Sequence, residues 1–164
     1  METTRHFVAT VYVVHDGATA LHEHAKLGMW LPPGGHIERE ELPHKAALRE
    51  TQEELGLSVE LVAPTGELQS ETARSIPRPQ QFLLEDIDSI GDEVAHQHVD
   101  FVYYGRADSR DIDPGADEAP ASAWEWLTPD QLQARADQFP DDVVTAGQRA
   151  IETVGRIRGD STET

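Results

Sequence analysis

Three glutamates, Glu50, Glu53 and Glu54, are spaced so that a helix would bring their carboxylates together. A helix is predicted at about residues 43–55, because a proline opens the segment and a glycine follows it. Residues three or four positions apart share one helical face, where these like charges would repel one another. A divalent cation reverses that repulsion, since Mg²⁺ binds carboxylate oxygens. The alternative interpretation is a solvated acidic face.

The segment before this helix, residues 30–35, reads WLPPGG. Its prolines favour a rigid turn, and its two glycines allow the backbone to approach a ligand or a metal ion closely. Residues 35–57, GHIEREELPHKAALRETQEELGL, fit the pattern G-x5-E-x7-R-E-U-x-E-E-x-G-U, in which U is a bulky apolar residue. This stretch resembles the Nudix box, the signature of hydrolases that act on nucleoside diphosphates linked to another group. The single departure is Thr51, which stands where an aliphatic residue is usual and whose methyl group can still pack.

The resemblance implies a metal-dependent active site with Mg²⁺, or Mn²⁺, as the cofactor. Glu50, Glu53 and Glu54 would bind the metal, joined by the backbone carbonyl of Gly35. These glutamates, together with Arg49, would also be the catalytic residues. A water molecule acidified by the metal would attack a phosphorus atom of the diphosphate.

The resemblance also implies that Glu41 pairs with Arg49 and holds the preceding loop against the helix. An ordinary surface ion pair is the alternative interpretation. The catalytic base would be Glu53 or a carboxylate recruited from a loop. The sequence does not choose among the loop carboxylates Glu118, Asp92 and Glu93.

Substrate-binding residues are predicted close to the box and in one loop. His36 directly follows Gly35 and is a candidate phosphate contact. Arg74 and Arg78, in a proline-containing loop, are rare positive charges that could hold the second phosphate or the leaving group.

Two His-x-His pairs, His22/His24 and His96/His98, stand outside the box. In an extended strand, both members of such a pair point to one side. A Zn²⁺ site is one interpretation of this spacing. Solvated or substrate-facing histidines are the other.

The charge of the chain is strongly negative, with 31 acidic and 13 basic residues and a formal net charge of −18 over 164 residues. We therefore expect no nucleic-acid partner, because the field would repel backbone phosphates. An acidic, lysine-poor surface suggests a protein adapted to concentrated salt, where self-repulsion is screened. An acidic protein of ordinary salt conditions is the alternative. The chain has no cysteine, so disulfides and thiolate metal sites are excluded.

The rest of the chain alternates between strand and helix patterns. An acidic loop is expected at residues 87–95, an irregular strand near 67–72 and a frayed tail at 159–164. Strands are predicted at residues 7–14, 19–24, 58–62, 81–86, 99–106 and 123–127, and two further helices at about 129–136 and 141–158. This order favours an α/β/α sandwich around a mixed sheet, in one domain spanning residues 1–164.

The predicted function is hydrolysis of a diphosphate bond in a small-molecule nucleoside diphosphate derivative: a nucleotide sugar, ADP-ribose or a nucleoside triphosphate. The alternative is a sensor of the same fold that binds a nucleotide without cleaving it. Neither a secretion signal nor a long apolar stretch stands out, so a cytoplasmic protein without a membrane partner is expected. A homodimer is compatible with this interpretation.

Overall fold

A mixed β-sheet of eight strands forms the centre of residues 2–160, the part of the chain that the computed structural model describes. The strands are β1 (Thr4–His15), β2 (Ala18–His24), β3 (Met29–Leu31), β4 (Gly34–His36), β5 (Val59–Leu61), β6 (Gln81–Ile90), β7 (Glu93–Ala107) and β8 (Trp124–Leu127). The helices are α1 (Pro43–Leu55), α2 (Pro129–Ala134) and α3 (Asp141–Asp160), with 3₁₀ turns at Ala121–Ala123 and Ala136–Gln138.

Strands β1 and β7 are neighbours at the centre of the sheet. They pair in parallel from Thr4 opposite His96 to Val14 opposite Arg106. All other pairings among the described strands are antiparallel: β2 and β4 pair with β1, β5 and β6 pair with β7, and β3 and β8 pair with β2. The sheet is therefore mixed, as the sequence predicted.

The two faces of the sheet bury two separate cores, because successive side chains of a strand point to opposite sides. On one face, Val11 and Val13 of β1 pack with Ala46, Ala47 and Leu55 of α1. On the other face, alternate residues of β1 pack with α3 and α2. The residues of this second core include Tyr12, Val14, Leu132, Val143, Ala150 and Val154. Helices therefore cover both faces, and the predicted α/β/α sandwich is confirmed.

Two tight hairpin turns set the strand registers. Asp16 and Gly17 both have positive φ, 45° and 73°, and connect β1 to β2, as expected of a two-residue turn of this type. A similar turn at Gly91, whose φ is 64°, connects β6 to β7, where Ile90 pairs with Glu93. The predicted acidic loop at 87–95 is therefore wrong. Asp88 and Glu93 lie on exposed ends of two long strands, Asp92 lies in the turn between them, and Gly91 allows a tight turn where charge suggested a loop.

The other differences are small. The predicted irregular strand at 67–72 is a loop held by isolated bridges, Thr65 to Pro77 and Gln69 to Arg74. The third predicted helix continues to residue 160, and the rest of the expected frayed tail lies outside the described residues. Within residues 2–160, no helix combines the length and the apolar character needed to span a bilayer.

Candidate active site

Helix α1 presents the glutamates because its opposite side is anchored in the core. Ala46, Ala47, Thr51 and Leu55 are all fully buried. The hydroxyl of Thr51 donates a hydrogen bond of 2.8 Å to the carbonyl of Ala47, so the polar atom of this unusual box residue is satisfied inside the helix. Gly56 ends the helix with φ 66° and donates its N–H to the carbonyl of Gln52. The helix predicted at 43–55 is confirmed.

Glu54 is the most buried of the three glutamates. Its Oε2 accepts a hydrogen bond of 2.7 Å from the backbone N–H of Gly34. Burial raises the pKa of Glu54 to about 8, although that hydrogen bond opposes the rise, and the charges of Glu50, Glu118 and Glu53 raise it further. A cation that takes the place of the proton would strongly stabilise the charged form of such a buried carboxyl group.

Glu50 lies next to the glycine pair of β4. A Cβ atom built on Gly35 would overlap the carboxylate of Glu50, so a residue without a side chain is required for this close approach. Burial raises the pKa of Glu50, while a hydrogen bond from Arg49 lowers it. Glu53, by contrast, has a side chain that is 49% exposed.

Arg49 connects the loop after β4 to the carboxylates. Its Nε and Nη2 donate to Glu41 Oε1 and Oε2 at 2.8 and 2.9 Å. Nη2 also donates to the backbone carbonyl of His36 at 3.0 Å. Nη1 donates to Glu50 at 2.8 Å and to Glu53 at 3.3 Å. The guanidinium thus fixes the loop and supplies counter-charge to two of the three glutamates in this structure.

A fourth carboxylate, that of Glu118, lies close to this cluster. The loop that carries it is fixed to the end of α1, because Asp113 donates its N–H to Leu55 at 2.9 Å and Gly115 donates to Glu53 at 2.8 Å. The charge of Glu118 contributes to the raised pKa values of both Glu50 and Glu54. The sequence offered Glu118, Asp92 and Glu93 as loop carboxylates. Asp92 and Glu93 instead belong to the β6–β7 hairpin.

The donor set of this cluster fits a hard divalent cation. It consists of carboxylate oxygens on one helix, with the backbone of β4 beside them. Burial is the main cause of the raised pKa values of Glu50 and Glu54, and the charges of neighbouring carboxylates raise both further. Mg²⁺ and Mn²⁺ match such oxygen ligands.

A cavity of about 640 Å³ opens on the sheet face that α3 covers and reaches the backbone of Gly34 and Gly35. Its apolar walls come from β1, β3 and β6, including Val8, Leu31 and Leu83. A pocket of this size is typical of small-molecule sites. Because it borders β4, a ligand bound there would lie next to the strand that contacts the glutamates.

Four acidic residues line this cavity, Glu85, Asp86, Asp100 and Asp142, and none of them was predicted as a site residue. Asp100 of β7 is only 3% exposed, and its Oδ2 accepts a hydrogen bond of 2.8 Å from Thr10. Its Oδ1 is buried, and the side chain of Glu85 hydrogen-bonds with this carboxyl group. Burial and the neighbouring Glu85 raise the pKa of Asp100, so this carboxyl group stays protonated at pH values at which an ordinary aspartate is charged. A charged residue within the apolar run VDFVYY was the available sequence signal.

The predicted substrate-binding residues are dispersed. His36 lines the cavity, whereas Arg74 and Arg78 do not. Both arginines are exposed, in the loop between β5 and β6.

Comparison with known proteins agrees with the fold and the box. A family model described as the NUDIX domain matches residues 4–146. An RNA pyrophosphohydrolase of Erythrobacter litoralis (strain HTCC2594) is 31% identical over 121 residues, which cover 73% of this chain and 71% of that protein.

Solved structures agree as well. A hydrolase of the Nudix family from Clostridium perfringens superimposes with a TM-score of 0.78 at 28% identity, covering 92% of this chain and 99% of that one. A MutT Nudix hydrolase from Burkholderia pseudomallei shares the fold, with a TM-score of 0.57, 22% identity and coverage of 92% and 98%. The chain belongs to the Nudix hydrolase family.

Proposed function

We propose that this hydrolase cleaves a diphosphate bond in a nucleoside diphosphate derivative and that it requires Mg²⁺ or Mn²⁺. The observation that supports this most strongly is the cluster of Glu50, Glu53 and Glu54 on one face of α1, beside the glycine pair of β4. These glutamates and the carbonyl of Gly35 would hold the cation. The bound cation would neutralise phosphate charge and acidify the attacking water.

The remaining steps belong to side chains of the chain itself. Glu53 or Glu118 would accept the proton from the attacking water. Glu53 is the most exposed of the three helix glutamates. Glu118 approaches the cluster from a separate loop. Arg49 would keep the loop after β4 and the carboxylates in a fixed arrangement, which matters because small displacements of reacting groups are costly.

The substrate remains a choice among nucleotide sugars, ADP-ribose and nucleoside triphosphates. The relative from Erythrobacter litoralis is named an RNA pyrophosphohydrolase, which adds RNA to the candidates. A net charge of −18 opposes contacts along an RNA backbone. We therefore favour a small nucleotide, for which only the phosphates next to the cation need compensation.

A panel of these substrates tests the proposal. Each is incubated with the full chain and Mg²⁺, and phosphate is measured with and without added phosphatase, which distinguishes diphosphate cleavage from other products. We expect one substrate class to turn over only when a divalent cation is present. Binding of nucleotides without turnover of any of them would contradict the proposal and favour a sensor.

The cellular setting is also proposed from the sequence. A cytoplasmic protein of one domain follows from the sequence, and a homodimer is compatible with it. Adaptation to concentrated salt follows from the charge alone.

A further inference from the structure

Four histidines lie together at the end of the sheet where β1 begins. The parallel register places Thr4 beside His96 and His6 beside His98. Strand β4 pairs with the other side of β1 and places His36 opposite Val8. Because residues two apart on a strand share a face, all four imidazoles stand on the cavity face of the sheet.

The imidazoles are in mutual contact. One ring nitrogen from each of His6, His96 and His98 lies within 4.8 Å of the others. The ring centroids of His6 and His96 are 4.5 Å apart, and those of His96 and His98 are 5.1 Å apart. His6 and His98 come from segments about 90 residues apart in the chain, so the cluster is a product of the fold.

We propose that His6, His96 and His98 form a second metal site, one that binds a transition-metal ion such as Zn²⁺ and is separate from the glutamate cluster. Imidazole nitrogens suit Zn²⁺ and its neighbours, whereas Mg²⁺ requires oxygen. Three histidines and one water complete a tetrahedral shell. Zn–N bonds of about 2.0–2.1 Å bring the nitrogens to about 3.3 Å from one another. The rings reach this spacing by rotation, which their partial exposure allows.

Two neighbours already orient the ligands. The hydroxyl of Thr4 lies 2.8 Å from Nδ1 of His96, and Nε2 of His36 lies 3.2 Å from Nδ1 of His6. When each Nδ1 carries the proton of its hydrogen bond, each Nε2 keeps its lone pair for the metal. Ligand histidines in proteins are commonly fixed in this way by a hydrogen bond at the other ring nitrogen. Thr4 and His36 are therefore assigned as positioning residues of this site.

A cation suits the cluster better than an anion does. Imidazole binds a metal ion in its neutral form, through a ring nitrogen that carries no proton. An anion site would need protonated rings. Asp88 of β6 pairs with His96 and so brings an acidic residue to this end of the sheet.

The two proposed cation sites share strand β4 and differ in chemistry. A Cβ on Gly35 would meet Glu50 on the α1 side, whereas His36 belongs to the cavity side. The histidine site therefore does not depend on the proposed hydrolase function, and each can fail alone.

Zn²⁺ titration of the full chain tests the site. The protein is first stripped of metal and then saturated with Mg²⁺ to occupy oxygen ligands, and binding is followed by calorimetry. Co²⁺, followed by its visible absorption, reports whether the coordination is tetrahedral. The variants are His6→Phe and His96→Phe, which keep a ring and remove its nitrogens. His24→Phe is the matched control, because His24 also belongs to a His-x-His pair on a strand but lies outside the cluster.

We expect one Zn²⁺ per chain in the presence of Mg²⁺ and a tetrahedral Co²⁺ spectrum. Both His6→Phe and His96→Phe should weaken Zn²⁺ binding by more than about tenfold, the scale at which even outer-shell partners act. His24→Phe and Glu53→Gln should bind as the unaltered chain does. Circular dichroism without metal checks that each variant is folded.

Absence of Zn²⁺ binding under these conditions would overturn the proposal. So would binding that persists in the His6→Phe/His96→Phe double variant. Binding lost in Glu53→Gln and kept in the histidine variants would assign the ion to the glutamate cluster and would also overturn it.

Discussion

Arg49 and Glu41 form a two-pronged ion pair, with Nε–Oε1 and Nη2–Oε2 distances of 2.8 and 2.9 Å. Both side chains are largely shielded, at 27% and 15% exposure. The same guanidinium reaches Glu50 and Glu53, so a single planar group determines where the loop and two of the proposed metal ligands stand. Lysine carries the same charge and cannot make this set of contacts.

We therefore predict that Arg49→Lys lowers kcat/KM by roughly 10- to 100-fold, because misplaced groups in an active site are costly. Thermal unfolding should change little by comparison. The matched control is Arg106→Lys, which alters a surface pair with Glu60 and should leave activity unchanged. Equal activity of both variants would show that Arg49 acts only as a charge.

The neighbouring glycines of β4 should respond differently to the same substitution. A Cβ on Gly34 would lie 2.6 Å from the carbonyl oxygen of Ala9, and backbone cannot give way there. Gly34→Ala should therefore destabilise the fold by about 1–3 kcal/mol, the usual cost of overpacking. A Cβ on Gly35 would meet only the flexible end of Glu50, so Gly35→Ala should keep its stability and lose activity.

Thermal unfolding and turnover, measured on both glycine variants, check this contrast. Loss of stability in Gly35→Ala equal to that in Gly34→Ala would contradict the different surroundings of the two positions.

Asp100 should make the stability of the fold depend on pH. Its pKa is raised above the ordinary value of 3.8, so the folded state holds a proton that the unfolded chain releases. The free energy of unfolding should therefore fall as the pH rises above about 4. Asp100→Asn stays neutral and can still accept the hydrogen bond from Thr10, so the fall should be smaller in this variant.

Denaturant unfolding between about pH 5 and pH 8 measures this slope. Asp111→Asn, which changes an exposed carboxylate, is the control. If the Asp100 variant and the control show the same slope, Asp100 is not the group responsible.

The net charge of −18 predicts that salt stabilises this protein. Raising KCl from about 0.1 M to about 1 M shortens the Debye length from about 10 Å to about 3 Å and screens the repulsion. The melting temperature should rise over this range. An unchanged melting temperature would remove the support for adaptation to concentrated salt.

Local signals predicted much of the fold. The hairpin at Asp16–Gly17 and the helix at 43–55 depend on turn and cap residues close in the chain. The prediction of a loop in place of the β6–β7 hairpin was wrong, because exposed acidic residues on a strand resemble a loop in sequence. The interaction of Asp100 with Glu85 and the meeting of His6 with His98 depend on registers between distant strands, and a single sequence does not display those registers.

The most direct test of the proposed function is the metal-dependent turnover of Glu53→Gln and Glu54→Gln, compared with Glu71→Gln. Glu71 is an exposed carboxylate in the loop between β5 and β6 and is the control. On the substrate that the panel identifies, kcat should fall by roughly 10²–10⁴-fold in the two helix variants, the range typical of general-base loss. Their folds should be intact and the control should be fully active. Turnover of Glu53→Gln and Glu54→Gln at the rate of the unaltered chain would contradict the assignment of the active site to helix α1.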